Sequence, residues 1–167
     1  MKLFLLRHGP AWQRGDPRWP DDDLRPLDPA GRRKLKAIAA GMKAMGWTFG
    51  GWWTSPLVRA RQTAEIVAAA FGAEKTIEVV PELAPGGDFR KLLRRLRAAP
   101  GRPDRVVLVG HEPDLGDLLG LLVSGRTDLS LGLKKGGLAR MTFEGAVRAG
   151  AARLEWLLTP RQLARLG

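Results

Sequence analysis

Apolar runs alternate along this chain with stretches whose apolar residues recur at helical spacing. Lys2–Leu6 reads as a buried first strand. Asp28-Pro29 then marks a helix start, with aspartate in the capping position and proline in the first turn. Leu35, Ile38, Ala39 and Met42 fall on one face, which predicts a helix over Pro29–Met45. Gly50–Thr54 is a second short strand. Ser55-Pro56 repeats the cap-and-proline signal, Ala60, Ala64, Val67, Ala68 and Phe71 line one face, and Gly72 ends that helix. A strand over Thr76–Val80 and a helix over Phe89–Ala98 come next. Arg105–Val109 is an apolar strand that stops at Gly110-His111. Pro113 opens a helix with Leu115, Leu118, Leu119 and Leu122 on one face and Gly125 just beyond it. Leu138–Phe143 and Ala152–Leu157 read as closing strands, a hairpin across Glu144–Gly150, and a short helix starts at Pro160.

Strands alternating with helices predict an α/β fold: three layers, α/β/α, around a mostly parallel central sheet. The 167 residues form a single domain by this reading, with no repeat, low-complexity tract or interdomain linker. Sheets of this kind bind ligands beyond the carboxyl ends of their strands, so the strand-to-helix junctions are where chemistry is expected.

Three junctions stand out. The first strand ends in Arg7-His8-Gly9. The second leads through Ser55-Pro56 to Arg59, in the first turn of a helix. The Val106–Val109 strand ends in Gly110-His111-Glu112. The chain has only two histidines, and both stand at such junctions. An isolated histidine usually belongs to a satisfied, half-buried side chain; two at strand ends, each beside glycine, point to a site. A cation in a first helical turn opposes the helix dipole unless an anion sits between it and the helix amides. Two histidines and two arginines around one cleft therefore suggest a phosphate pocket. Neutral imidazole is a competent nucleophile, and Arg7 and Arg59 would disfavour its protonation. A two-histidine metal site is the rival, but it lacks a third ligand at short spacing and its arginines would repel a cation.

Charge and composition adjust this picture only slightly. Lysine and arginine total 28 against 17 aspartates and glutamates, a net charge of +11, which favours an anionic partner without specifying one. No nucleic-acid motif or aromatic-interleaved basic stripe accompanies it, so nucleic acid is not the expected partner. The absence of cysteine excludes disulfide and thiolate chemistry. No apolar run reaches the length of a membrane span, and Met1-Lys2 leads directly into the first strand rather than into a signal peptide. A cytoplasmic protein that does not engage a membrane is the expectation.

The three junctions resemble the motifs of the histidine phosphatase superfamily, the group that includes phosphoglycerate mutases. Its Arg-His-Gly stands here as Arg7-His8-Gly9. Its Ser-Pro, Arg and Gln-Thr-Ala motif stands as Ser55-Pro56-Leu57-Val58-Arg59-Ala60-Arg61-Gln62-Thr63-Ala64, and its second histidine as Val109-Gly110-His111. Further segments are similar to the SixA-type branch, the phosphohistidine phosphatases: Asp22-Asp23-Leu24-Arg25-Pro26-Leu27, Pro81 to Asp88, His111-Glu112-Pro113-Asp114-Leu115 and Trp156-Leu157-Leu158-Thr159-Pro160. Together these span nearly the whole chain. The resemblance implies a phosphoglycerate mutase-like fold and a metal-independent hydrolase without a cofactor. His8 would attack phosphorus and become phosphohistidine. Arg7, Arg59 and His111 would bind the phosphoryl oxygens, with Gly9 letting the backbone turn beneath the phosphate. Water would then release phosphate from His8. A glutamate near the third strand protonates the leaving group in larger members; Glu82 is in roughly that position, and a solvated loop carboxylate explains it equally well.

Many relatives insert a lid after the second motif. Here one strand and one helix already fill Phe71 to Arg105, so no lid insertion is expected and the mouth should be open. The loop from Pro10 to Leu27, with Trp12 and Trp19, is the remaining candidate wall. An open, basic mouth suits phosphohistidine displayed on a protein. A general phosphomonoesterase for small sugar or nucleotide phosphates and a basic phosphate- or nucleic-acid-binding module stay open as alternatives. Mutase activity is disfavoured without a lid to retain the intermediate. The oligomeric state has no signal in the sequence.

Overall fold

The computed structural model of the protein describes residues 1–98, 103–126 and 128–167. A six-stranded sheet is built from β1 (Lys2–Arg7), β2 (Gly51–Thr54), β3 (Ile77–Val79), β4 (Arg105–Gly110), β5 (Leu138–Thr142) and β6 (Arg153–Leu158) in the order β3-β2-β4-β1-β5-β6. The first four strands pair in parallel; β5 and β6 add antiparallel at the β1 edge. The hairpin between the last two strands is thus present, with a register shift at Arg140/Met141. Strands β1, β2 and β4 are apolar on both faces because both faces are covered.

Strict alternation divides β1 between the two layers. Leu3 and Leu5 join Val106 and Leu108 under α3 (Phe89–Ala98) and α4 (Asp114–Ser124). Phe4 and Leu6 join Val107 and Val109 under α1 (Pro29–Ala44) and α2 (Val58–Ala69), with Leu163 of α5 (Pro160–Leu163). The three-layer expectation therefore holds.

Most element boundaries follow their local chemistry. Asp28 caps α1 by accepting the Gly31 amide at 2.6 Å, and α4 stops at Gly125, whose φ of 78° places it in the left-handed region. Two expectations shift. The third strand starts at Ile77, because Glu74–Thr76 forms a 3-10 turn in which Thr76 bonds the Ala73 carbonyl. Helix α2 starts at Val58, behind a Leu57 cap that has no side-chain hydrogen bond. Ser55 precedes that cap; its hydroxyl accepts the Leu57 amide and also meets a histidine from another strand end. Among the described residues, no helix is long and apolar enough to cross a membrane. The described part of 71–105 holds the 3-10 turn Glu74–Thr76, β3, a second 3-10 turn over Pro81–Leu83 and α3; residues 99–102 of that stretch lie outside the description.

Candidate active site

The carboxyl ends of β1, β2 and β4 meet because these strands are neighbours in the sheet. Register pairing sets Arg7 opposite Gly110 and Thr54 opposite Val109. A cleft of about 500 Å³ opens over these ends, and Arg7, His8, Arg59 and His111 all line it. Asp22, Arg25 and Trp12 from the β1–α1 loop line it as well, and so do Glu112 and Lys135.

The two imidazoles lie 5.0 Å apart between ring centroids and are both buried. The Gly9 carbonyl sets the tautomer of His8. His8 Nδ1 lies 2.7 Å from the Gly9 carbonyl, which can only accept. Nδ1 therefore carries the proton and Nε2 keeps its lone pair. His111 Nε2 lies 2.8 Å from Ser55 Oγ. That oxygen also accepts the Leu57 amide at 3.3 Å; with a second lone pair and a proton of its own, the hydroxyl fits His111 in either tautomer. His8 thus presents a lone pair, and His111 presents a donor when the Ser55 hydroxyl donates to its Nε2.

Both rings are neutral at pH 7. Burial pushes the His8 pKa down to about 3, with His111, Arg59 and Arg7 adding to the effect and the Gly9 carbonyl opposing it. Burial is also the main cause that pushes His111 down to about 3, followed by the Arg59 charge.

Each arginine is held by a backbone carbonyl. Arg7 Nη1 donates to Leu133 O at 2.7 Å. Arg59 Nη1 donates to Asp22 O at 2.7 Å, and its Nη2 sits 3.1 Å from Asp22 Oδ2. The same carboxylate accepts Arg25 Nε at 2.8 Å, and chiefly for that reason Asp22 titrates below the usual carboxylate range. After these contacts three buried nitrogens of cleft-lining residues have no protein partner, Arg7 Nε, Arg59 Nε and His111 Nδ1; away from the cleft, Trp19 Nε1, Trp52 Nε1 and Arg140 Nε are in the same position.

Two predicted site residues stand away from the cleft lining. Gly9 is buried beneath it: its amide donates to Thr63 Oγ1 at 3.1 Å, and its carbonyl holds His8. Its φ is not positive; a side chain there would meet Leu35 Cδ1 of α1 at 2.7 Å, so close packing rather than a sharp turn is what requires glycine. Glu82 lies in a 3-10 turn, Pro81–Leu83, and is not among the residues lining the cleft. Of the loop tryptophans, Trp12 lines the cleft beneath the Arg18 guanidinium, 4.2 Å from its ring centroid, and Trp19 does not line it.

The structure adds residues that the motif reading quoted without a role. Gln62 Oε1 accepts the Leu27 amide at 2.9 Å and ties the long loop to α2. Thr63 Oγ1 donates to Arg59 O at 2.7 Å while accepting from Gly9, which links two of the motifs. Asp22, Ser55 and Glu112 belong to the same group. Their presence inside the quoted segments was the available signal; their partners lie too far along the chain to be read from it. Among the described residues, no group of three or more histidine, aspartate or glutamate side chains is placed to hold a metal ion.

Residues 3–85 match the model of the histidine phosphatase superfamily (branch 1). An uncharacterized protein of Picosynechococcus is 41% identical over 157 residues, which cover 93% of this chain and 89% of that one. The chain belongs to the histidine phosphatase superfamily and is a metal-independent phosphatase of that family. Within it the chain falls in the SixA-type branch. Phosphohistidine phosphatase SixA of Escherichia coli is 29% identical over 164 residues, 98% of this chain and 96% of its own. The solved structure of the protein histidine phosphatase SixA complexed with tungstate superposes with a TM-score of 0.83 at 27% identity, covering 98% of this chain and 99% of that one.

Proposed function

We propose that this phosphatase works through a phosphohistidine intermediate on His8 and that its substrates are phosphohistidine residues displayed on proteins in the cytoplasm. One observation carries the phosphate site: Arg7 Nε, Arg59 Nε and His111 Nδ1 are buried nitrogens of residues lining one cleft, with no partner in the protein. Orphaned buried polar groups are rare, and three in one place call for a multivalent partner such as a phosphoryl group. The tungstate in the related SixA structure is an oxyanion of the same tetrahedral kind.

The His8 tautomer supports the order of events. His8 Nε2 attacks phosphorus, a new N–P bond forms, and the bond from phosphorus to the leaving group breaks. Arg7, Arg59 and His111 Nδ1–H bind the equatorial oxygens and stabilise the charge spread over them. Water then attacks phosphorus, the N–P bond to His8 breaks, and inorganic phosphate leaves. The water proton passes to the departing phosphate, and His8 returns neutral.

The site suits a leaving group that needs little protonation. Asp22, the carboxylate beside Arg59, is held ionised, and Glu82 lies off the cleft lining. A protonated phosphoimidazole leaves as neutral imidazole, whereas an alkyl phosphate leaves as an alkoxide and needs a proton donor. Glu82 remains the proposed donor for that second kind of substrate, reached only if the substrate itself extends past the cleft.

A substrate panel with purified protein tests the reading. Phosphohistidine in a protein should be turned over at least about a hundredfold more efficiently, by kcat/KM, than phosphoserine or sugar phosphates, a gap of ~2.7 kcal/mol. Acid-labile, base-stable label should be trapped on wild type and be absent from His8→Ala. Preference for sugar or nucleotide phosphates would replace the protein substrate; label retained by His8→Ala would remove the nucleophile.

A further inference from the structure

Glu112 follows the second histidine, lines the cleft, and has no part in the reaction steps above. Its Oε1 accepts the Leu133 amide at 2.8 Å. The carbonyl of that same Leu133 accepts Arg7 Nη1 at 2.7 Å. One residue of an irregular segment is thus held on its amide side by Glu112 and holds Arg7 on its carbonyl side. The second carboxylate oxygen is also confined. The Gly116 amide faces the carboxylate, and a Cβ at position 116 would stand 2.9 Å from Oε2, so glycine leaves room for it. Burial raises the pKa of this carboxyl, and the Leu133 and Gly116 amides oppose the rise by favouring the charged form. The Leu133 bond makes the side chain an anchor.

The segment Glu112 anchors is the one that frames Arg7. Gly136 donates its amide to Arg7 O at 3.1 Å, and Arg7 donates its own amide to Gly137 O at 3.1 Å. Between these points and Leu133 lies Lys135, a cleft-lining cation. The Leu131 amide reaches Gly116 O at 3.1 Å, so the segment is fastened at two places, to Gly116 of α4 and to Glu112 just before it.

We propose that Glu112 is a positioning residue of the active site: through the Leu133 backbone it holds the Arg7 guanidinium with its Nε edge free for the phosphoryl group. This inference rests on the phosphate reading of the cleft. Without the anchor, the Leu133 carbonyl is free to move, Arg7 loses its fixed orientation, and a charge-assisted bond to phosphate loosens.

Calorimetric titration with inorganic phosphate tests it without requiring turnover. Glu112→Ala should bind phosphate about tenfold more weakly than wild type. In an Arg7→Ala background the same change should cost no more than about twofold, because the residue it positions is gone. Glu112→Gln keeps a carbonyl oxygen for the Leu133 amide and should stay within about threefold of wild type. Should Glu112→Ala not fold, Glu112→Asp enters the same cycle: it keeps the charge but withdraws the carboxylate by one methylene, and should weaken phosphate by about fivefold. Wild-type affinity in Glu112→Ala or Glu112→Asp, or losses that multiply with Arg7→Ala, would overturn the positioning role. Failure of the wild-type protein to bind phosphate would instead overturn the phosphate reading.

Discussion

Arg59 and Arg7 line one cleft and are held in different ways. Arg59 is 4% exposed and meets the Asp22 carboxylate directly, with the Asp22 carbonyl as a second anchor. Arg7 is half-buried and meets only a carbonyl; the Glu112 carboxylate that stands behind it acts through Leu133. The more buried cation takes the direct counter-ion, since a guanidinium removed from water without one is costly. The price is that Asp22 draws on the charge Arg59 offers a phosphoryl group. Arg7 keeps more of its field for the substrate and depends on geometry instead. The two arginines thus divide the work between charge balance and orientation.

The strongest way to break this comparison is to remove each arginine. Arg59→Ala and Arg7→Ala should each lower kcat/KM by about a hundredfold or more, the effect of losing a donor to a charged transition state. Arg59→Ala should lose roughly tenfold more than Arg7→Ala, because it leaves the Asp22 carboxylate facing the incoming anion. Equal losses in steady-state kinetics would mean that Asp22 contributes no repulsion.

Removing the direct counter-ion comes next. Asp22→Ala should destabilise the fold by about 2 kcal/mol, less than a fully buried pair would give because Asp22 is one-third exposed in its side chain. For a domain of this size that corresponds to a melting temperature lower by about 4–8 °C. A melt unchanged by Asp22→Ala would show that solvent alone compensates Arg59.

The two histidines of the cleft set a pH signature. Both have folded pKa values near 3, below the ordinary value near 6.5. The unfolded chain therefore binds more protons as pH falls below ~6.5, and stability present above that pH is lost progressively towards pH 3. The slope should approach about 1.4 kcal/mol per pH unit for each histidine in that window. Denaturant melts between pH 7 and 4 measure it, and His111→Asn should flatten it. Activity should carry no acid limb near pH 6.5 from His8.

The smallest effect is expected at Glu82. Glu82→Gln should change phosphohistidine turnover by less than about threefold while depressing any alkyl phosphate turnover more strongly. Equal losses for both substrates would bring Glu82 into the principal reaction.

Much of the fold was legible because burial imposes a period. The leucines of Lys2–Leu6 and the helical stripe of Leu35, Ile38 and Met42 each announce an element by spacing alone. The misplaced start of α2 shows where that reasoning stops. Ser55-Pro56 has the composition of a capping site, yet the helix starts at Val58, and Ser55 Oγ meets both the Leu57 amide and His111, which lies 56 residues away in the chain. Glu82 illustrates the same point from the other side. A carboxylate after the third strand looks poised in sequence, but the 3-10 turn Pro81–Leu83 leaves it off the cleft lining. Gly9 was legible as necessary, and the physical reason, the approach of Leu35 from α1, was not.

By itself the sequence determined the alternation of strands and helices and therefore the layers. It also determined that Arg7, His8, Arg59 and His111 stand at strand ends, which neighbouring parallel strands bring into one cleft. The tertiary structure decided what each of those groups can do. The proton on His8 Nδ1, the contact of His111 with Ser55, the depressed pKa of both rings and the anchors of both arginines depend on partners and burial. Asp22 meets Arg59 across 37 residues and Leu133 meets Arg7 across 126. Hydrophobic period encodes which face is buried; it carries no record of which distant atom will complete a hydrogen bond there.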